Sequence, residues 1–182
     1  MDFKQVLALI IADFEKAQVR YAVMGGFALG ALGIIRSTAD LDFLVHQEDL
    51  PKIKPVLLNY GYQCRHQSEN VSQYISDLAI FGEIDFIHAI RDRAIGMLSR
   101  ANEISVFDGT IKLKVLIPED IIGLKLQAIV NDPKREPQDM ADIDQLIIQF
   151  KDKLNWDLIA EYFTLFNRMA LYQELRTKYE LP

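Results

Sequence analysis

Asp40 and Asp42 stand two residues apart in the run ADLDFLV, and a third carboxylate, Asp85, sits in the apolar run EIDFI. Alternation of the two aspartates with Leu41 and Phe43 is a strand pattern, with the carboxylates on one face and the apolar residues packed on the other. Residues at i and i+2 of a strand are about 6.6 to 6.8 Å apart at Cα, so both side chains can converge on one or two cations. Magnesium takes oxygen ligands at about 2.0 to 2.1 Å, commonly one or two carboxylates plus substrate phosphates. A carboxylate on a neighbouring strand would let a second ion sit about 3.5 to 4 Å from the first, the arrangement that stabilises the attacking and leaving oxygens in phosphoryl or nucleotidyl transfer. Asp85 is the candidate for that place, because a carboxylate among apolar residues is costly without compensation. Taken alone, the DLD run is equally readable as a solvated strand edge.

Gly25-Gly26 adds a second element. Backbone amides at a glycine turn leading into a helix can bind phosphate oxygens, and glycine lets a triphosphate approach with no Cβ in the way. A tight strand-to-helix turn explains the pair equally well. Arg36 could clasp a phosphate with both arms of its guanidinium or tie its loop to Asp40 or Asp85. Lys125, in the apolar stretch LKLQAIV, either neutralises a triphosphate or extends along its helix to water. Asp139 and Asp142 share a helical face, which suits helix N-terminal stabilisation with a salt bridge to Lys134 or Arg135 as well as it suits chemistry. His46, His66 and His88 have no mutual metal-ligand spacing, although His88 follows Asp85 closely enough to border a site.

The elements that would position these residues are legible in outline. Tyr21 to Met24 reads as a strand, Gly25-Gly26 as a turn and Phe27 to Leu32 as a helix. Ala39 to Val45 is the carboxylate strand, and Asp49 to Tyr60, closed by Gly61, suits a helix. Tyr62 to His66, Ser72 to Phe81 and Glu83 to Ile87 read as strands, the last two joined as a hairpin through Gly82. Ile104 to Phe107 and Ile111 to Leu116 flank Asp108-Gly109, a two-residue hairpin signal. Pro118-Glu119-Asp120 opens a helix, and Gln138 to Glu180 is helical in period with breaks near Asn155 and Asn167. Trp156, Tyr162, Phe163, Phe166 and Tyr172, at near-helical spacing, read as core or subunit interface. The expected organisation is therefore an α/β (α+β) core over residues 1–117, with a mixed β-sheet flanked by helices, and a helical C-terminal part over 118–182.

Composition narrows the class. With 182 residues, half of them apolar, the chain can bury a sizeable core. Its net charge of −6 and pI near 5.1 argue against a surface built for long nucleic acids. Arg91, Arg93 and Arg100 form one local basic cluster and Lys134 with Arg135 another; both suit solvated helix faces. Cys64 is the single cysteine, which excludes an intramolecular disulfide and argues against structural zinc. The N-terminal apolar run Val6 to Ala12 is flanked by Asp2 and Asp13 and is far shorter than the ~20 residues of a membrane span, so an amphipathic helix, no membrane association and a cytoplasmic location are expected.

The order of these features carries more than any one of them. The run GGFALGALGIIRSTADLDFLV, followed some forty residues later by EIDFI, resembles the DNA polymerase β-like nucleotidyltransferase superfamily. With Arg36 and Thr38 just before the aspartates, the run looks like the minimal bacterial nucleotidyltransferases related to the toxins of abortive-infection systems, the AbiEii-type family. The resemblance covers roughly residues 20 to 150, and PEDIIGLKLQAIVNDPKREPQDMADIDQLI looks like the later part of these small proteins.

The resemblance implies that Gly25 and Gly26 contact phosphates and that Asp40 and Asp42 bind metal. It further implies that Asp85 completes the second metal site and assists deprotonation of the acceptor hydroxyl. Arg36, Thr38 and Lys125 join the nucleotide-binding set. The expected cofactor is Mg²⁺ or Mn²⁺ with a nucleoside triphosphate as co-substrate, and the expected reaction is attack by an acceptor hydroxyl on the α-phosphorus. The acceptor stays open between tRNA, protein and a small molecule such as an aminoglycoside-type antibiotic, and an antitoxin partner is a further expectation. A non-catalytic nucleotide-binding module on the same fold is the rival class.

Overall fold

β1 (Tyr21–Met24) and β2 (Asp40–His46) pair antiparallel at the centre of a seven-stranded mixed sheet. A computed structural model describes residues 1–179 of the chain, so Glu180, the last residue of the expected helical stretch, and the end of the 118–182 segment lie outside the described residues. The chain falls into two compact units, Met1–Leu116 and a second from Ile117 onward.

In the first unit the strand order is β3-β4-β5-β2-β1-β7-β6, with β3 at Tyr62–Gln67, β4 at Val71–Ser76, β5 at Glu83–Ala89, β6 at Asn102–Val106 and β7 at Ile111–Val115. β2 runs parallel to β5, and β1 parallel to β7; the other neighbours are antiparallel. Helix α1 (Phe3–Lys16) is capped by the Asp2 carboxylate, which accepts from Gln5 N at 3.0 Å. It buries Val6, Leu7, Ile10, Ile11 and Phe14, spaced three or four apart as an apolar stripe requires. Phe14 meets Phe43 of β2 and Tyr21 of β1, and Phe43 stacks on Phe86 of β5 with centroids 5.5 Å apart. One sheet face is thus an aromatic core, which leaves the alternate residues of the same strands, Asp40, Asp42 and Asp85, on the other face.

Helix α2 (Gly25–Ala31) begins on the two glycines themselves rather than after them. Helix α3 (Leu50–Asn59) follows a 3-10 turn at Gln47–Asp49 and packs near α1 and β3. Helix α4 (Asp92–Arg100), unassigned from the sequence pattern, packs on β2 and β5 and leaves Arg91, Arg93 and Arg100 exposed.

Two strand expectations need correction. The run Ser72 to Phe81 is not one strand: β4 stops at Ser76, whose Oγ accepts from Leu78 N at 3.3 Å, and residues 77–82 form a turn that buries Phe81. A serine oxygen offered to the backbone two residues on competes with the ladder, a signal that apolar alternation does not carry. The Asp108-Gly109 turn is wider than two residues. Val106 pairs with Ile111, and Phe107, Asp108 and Gly109 all adopt positive φ (51°, 57° and 80°), which removes Phe107 and Thr110 from the ladder.

The second unit is helical: α5 (Pro118–Asn131), α6 (Glu136–Phe150), α7 (Trp156–Leu165) and α8 (Met169–Lys178). Asn155 caps α7 through Leu158 N, and Asn167 takes φ 56° between α7 and α8, so both expected breaks are helix boundaries. Tyr162, Phe163 and Tyr172 are buried here, and the Tyr162 hydroxyl donates to buried Asp120 at 2.6 Å. Among the described residues no helix is long and apolar enough to cross a membrane.

Candidate active site

β1 ends where β2 and β5 begin, so Met24, Asp42 and Asp85 lie side by side in register. Residues paired across a sheet share a face, and Asp40 shares it by alternation. One carboxylate oxygen from each of Asp40, Asp42 and Asp85 lies within 4.8 Å of the others. Two oxygens on one magnesium are at most about 4.2 Å apart, twice the Mg–O distance. The spread therefore suits a single ion after a closure of roughly half an ångström, or two ions about 3.5 to 4 Å apart.

Each carboxylate is held differently. Thr38 Oγ1 donates to Asp40 Oδ1 at 2.8 Å. Gln73 Nε2 on β4, the registered neighbour of Asp85, donates to Asp85 Oδ2 at 3.1 Å. Asp85 Oδ1 is buried and has no hydrogen-bond partner. Burial pushes the Asp85 carboxyl above the ordinary carboxylate value, as do Glu83 and Asp40, while the Gln73 amide and the Arg65 charge oppose the shift. A buried oxygen with no donor beside two more carboxylates carries an uncompensated cost that a bound cation would relieve. This donor set, all oxygen and all anionic, fits a hard divalent cation.

The glycine pair packs against the same residues. Gly25 has φ +66°, and a β-carbon on it would lie 1.9 Å from Asp42 Oδ2. A β-carbon on Gly26 would lie 2.7 Å from Thr38 Cβ and Oγ1. Both glycines therefore make room for the carboxylate cluster and its support, a requirement hidden in the sequence, where only phosphate approach and turn geometry suggested them. Arg36 turns its guanidinium onto the Ser37 carbonyl in the loop before Thr38.

Lys125 belongs to the second unit, where its ammonium donates to Asp139 Oδ1 at 3.0 Å and Asp142 Oδ2 at 2.6 Å. Asp139 also accepts from Arg135 Nε at 2.9 Å, so one of the two salt bridges weighed for these aspartates is formed, joined by one from Lys125 to each of them. His88 lies three residues beyond Asp85 and so on the opposite face. Its Nδ1 donates to the Glu69 carbonyl at 2.7 Å, and its Nε2 shares a 3.0 Å hydrogen bond with Ser72 Oγ. His88 is a satisfied core histidine. Gln73 was not singled out from the sequence, because nothing local to β4 announces which residue of another strand lies beside it.

The model of a family described as uncharacterised nucleotidyltransferase matches residues 3–172. Among solved structures, the antibiotic-resistance factor ANT(2'')-Ia is similar with a TM-score of 0.70 at 16% identity, covering 98% of this chain and 99% of that one. The lincosamide antibiotic adenylyltransferase LnuA gives 0.57 at 18% identity, covering 79% and 95%. A putative nucleotidyltransferase from Thermotoga maritima gives 0.57 at 14% identity, covering 77% and 92%. At such identities the likeness concerns the fold. No curated protein matches the chain by sequence.

Proposed function

Because the chain belongs to the uncharacterised nucleotidyltransferase family, we propose that it transfers a nucleoside monophosphate from a nucleoside triphosphate to an acceptor hydroxyl, with Asp40, Asp42 and Asp85 holding divalent metal. The observation that carries the reading is the meeting of three carboxylate oxygens within 4.8 Å on one sheet face. When bound, magnesium or manganese would offset charge on the phosphates and on the departing pyrophosphate.

The chain's own residues account for the remaining steps. Asp40 and Asp42 present oxygens from one strand, and Thr38 restrains the first of them. Asp85 is the proton acceptor in this scheme, beside the attacking hydroxyl. As the acceptor oxygen bonds to the α-phosphorus, the bond from that phosphorus to the bridging oxygen breaks, pyrophosphate leaves, and the hydroxyl proton passes to Asp85. The Gly25-Gly26 pair at the start of α2 receives the β and γ phosphates in this scheme, with Arg36 close by in sequence.

The acceptor defines the biology. An RNA 3′ end or a protein hydroxyl fits a toxin of the abortive-infection type, neutralised by an antitoxin partner in the cytoplasm. An aminoglycoside-type antibiotic is the second reading, a cationic substrate that an acidic chain of net charge −6 would suit. Incubation with α-labelled triphosphates, magnesium or manganese, and total RNA, protein or aminoglycosides tests both. Label appears on one acceptor class with the native chain and is lost with Asp42→Asn. Magnesium-dependent triphosphate binding without label on any class would turn the assignment to a non-catalytic module.

A further inference from the structure

The registers Asp42 with Asp85, Asp85 with Gln73, and Gln73 with His66 draw a single row of side chains across β2, β5, β4 and β3. Gln73 occupies the place between the carboxylate cluster and the outer edge of the sheet. An ionised carboxylate accepts hydrogen bonds and donates none, so the amide nitrogen of Gln73 must be the end that faces Asp85. The carboxylate torsion of aspartate is otherwise broad, with its two oxygens nearly interchangeable. The 3.1 Å bond from Gln73 Nε2 to Oδ2 removes that freedom and leaves Oδ1, buried and without a donor, as the oxygen available to a cation.

Nothing else about Gln73 explains its type. The β4–β5 ladder is made by backbone groups, and the packing beneath it comes from the alternate residues: Tyr74 meets Phe86 edge-on at 5.8 Å and Ser72 bonds His88. A half-buried strand position of this kind accepts a leucine or threonine at little cost to the fold.

We propose that Gln73 is a positioning residue that orients the Asp85 carboxylate for metal binding; the inference rests on the metal-dependent reading above. Partners that orient metal ligands in this way typically change metal affinity or activity 10- to 100-fold when removed. Native protein, Gln73→Leu, Gln73→Thr and Asp85→Asn are titrated with Mn²⁺, followed by its electron paramagnetic resonance, and the same proteins are assayed for transfer. Both Gln73 variants are expected to bind Mn²⁺ about 10- to 100-fold more weakly and to lose kcat by a similar factor, with KM for the triphosphate within about twofold of native. Their melting temperatures should stay close to native, and if the leucine variant fails to fold the threonine variant supplies the reading. Native Mn²⁺ affinity and kcat in a folded Gln73 variant, with Asp85→Asn impaired, overturns the role of Gln73 alone. Absence of Mn²⁺ binding in the native protein, or unchanged binding in Asp85→Asn, removes the metal site and this proposal with it.

Discussion

Gly25 and Asp42 compete for the same space: the left-handed backbone of Gly25, φ +66°, opens a gap that the Asp42 carboxylate fills, and a β-carbon there would sit 1.9 Å from Oδ2. Gly25→Ala combines an unfavourable backbone conformation, which costs about 1 to 3 kcal/mol, with expulsion of a proposed metal ligand. Thermal melting should show the loss of stability, and transfer should fall below detection. Gly26 lacks the positive φ and its added β-carbon would press first on the Thr38 side chain, so Gly26→Ala should lose less stability while still weakening activity. Equal melting temperatures for native and Gly25→Ala would refute this packing.

Thr38→Val keeps the shape of the side chain and removes the 2.8 Å bond to Asp40. A hydrogen bond to a charged group contributes roughly 1.5 to 3 kcal/mol, and less where water can replace it, as at this half-buried position. About a tenfold drop in kcat with little change in melting temperature is the expected result. Unchanged kcat would leave Thr38 as a mere neighbour.

Asp85 should oppose folding at neutral pH in metal-free protein. Its carboxyl is raised by burial, and further by Glu83 and Asp40, against the opposition of Gln73 and Arg65. The folded state therefore holds its proton to higher pH than the unfolded state does. Stability from this group is full below the unfolded carboxylate value and is lost as pH climbs through the raised folded value. Asp85→Asn should accordingly melt higher than native near pH 7, and the gap should close in acid. A lower melting temperature for the variant at pH 7 in chelator would contradict the uncompensated charge.

Metal should reverse that penalty. Magnesium or manganese at 100 times its dissociation constant stabilises a folded protein by about 2.7 kcal/mol, so the native melting temperature should rise on titration and fall again with chelator. Asp42→Asn and Asp85→Asn should show little of the rise. Equal shifts in all three proteins would place the ion elsewhere.

Lys125→Met tests the second unit. Removing the ammonium leaves Asp139 with Arg135 alone and takes from Asp142 its 2.6 Å partner. Breaking a buried ion pair from one side costs about 3 to 5 kcal/mol, and Arg135 should reduce the figure toward the lower end. Calorimetry should register the loss. A rise in KM for the triphosphate with an unchanged melting temperature would instead assign Lys125 to substrate.

The sequence singled out Asp40, Asp42 and Asp85 through the order of GGFALGALGIIRSTADLDFLV and EIDFI and its resemblance to a known superfamily, since the period of two in ADLDFLV suits a solvated strand edge equally well. The sequence was also enough to place the helices of the later chain, since Asn155 and Pro118 act on the backbone immediately beside them. Sequence could not reveal that Asp42 lies in register with Asp85, that Gln73 grips one oxygen of it, or that Gly25 is small for the sake of Asp42. Those relations join residues 12 to 43 positions apart or across non-consecutive strands, and strand order and register are settled by how the aromatic face of Phe14, Phe43 and Phe86 closes, a property of the packed chain and of no segment within it.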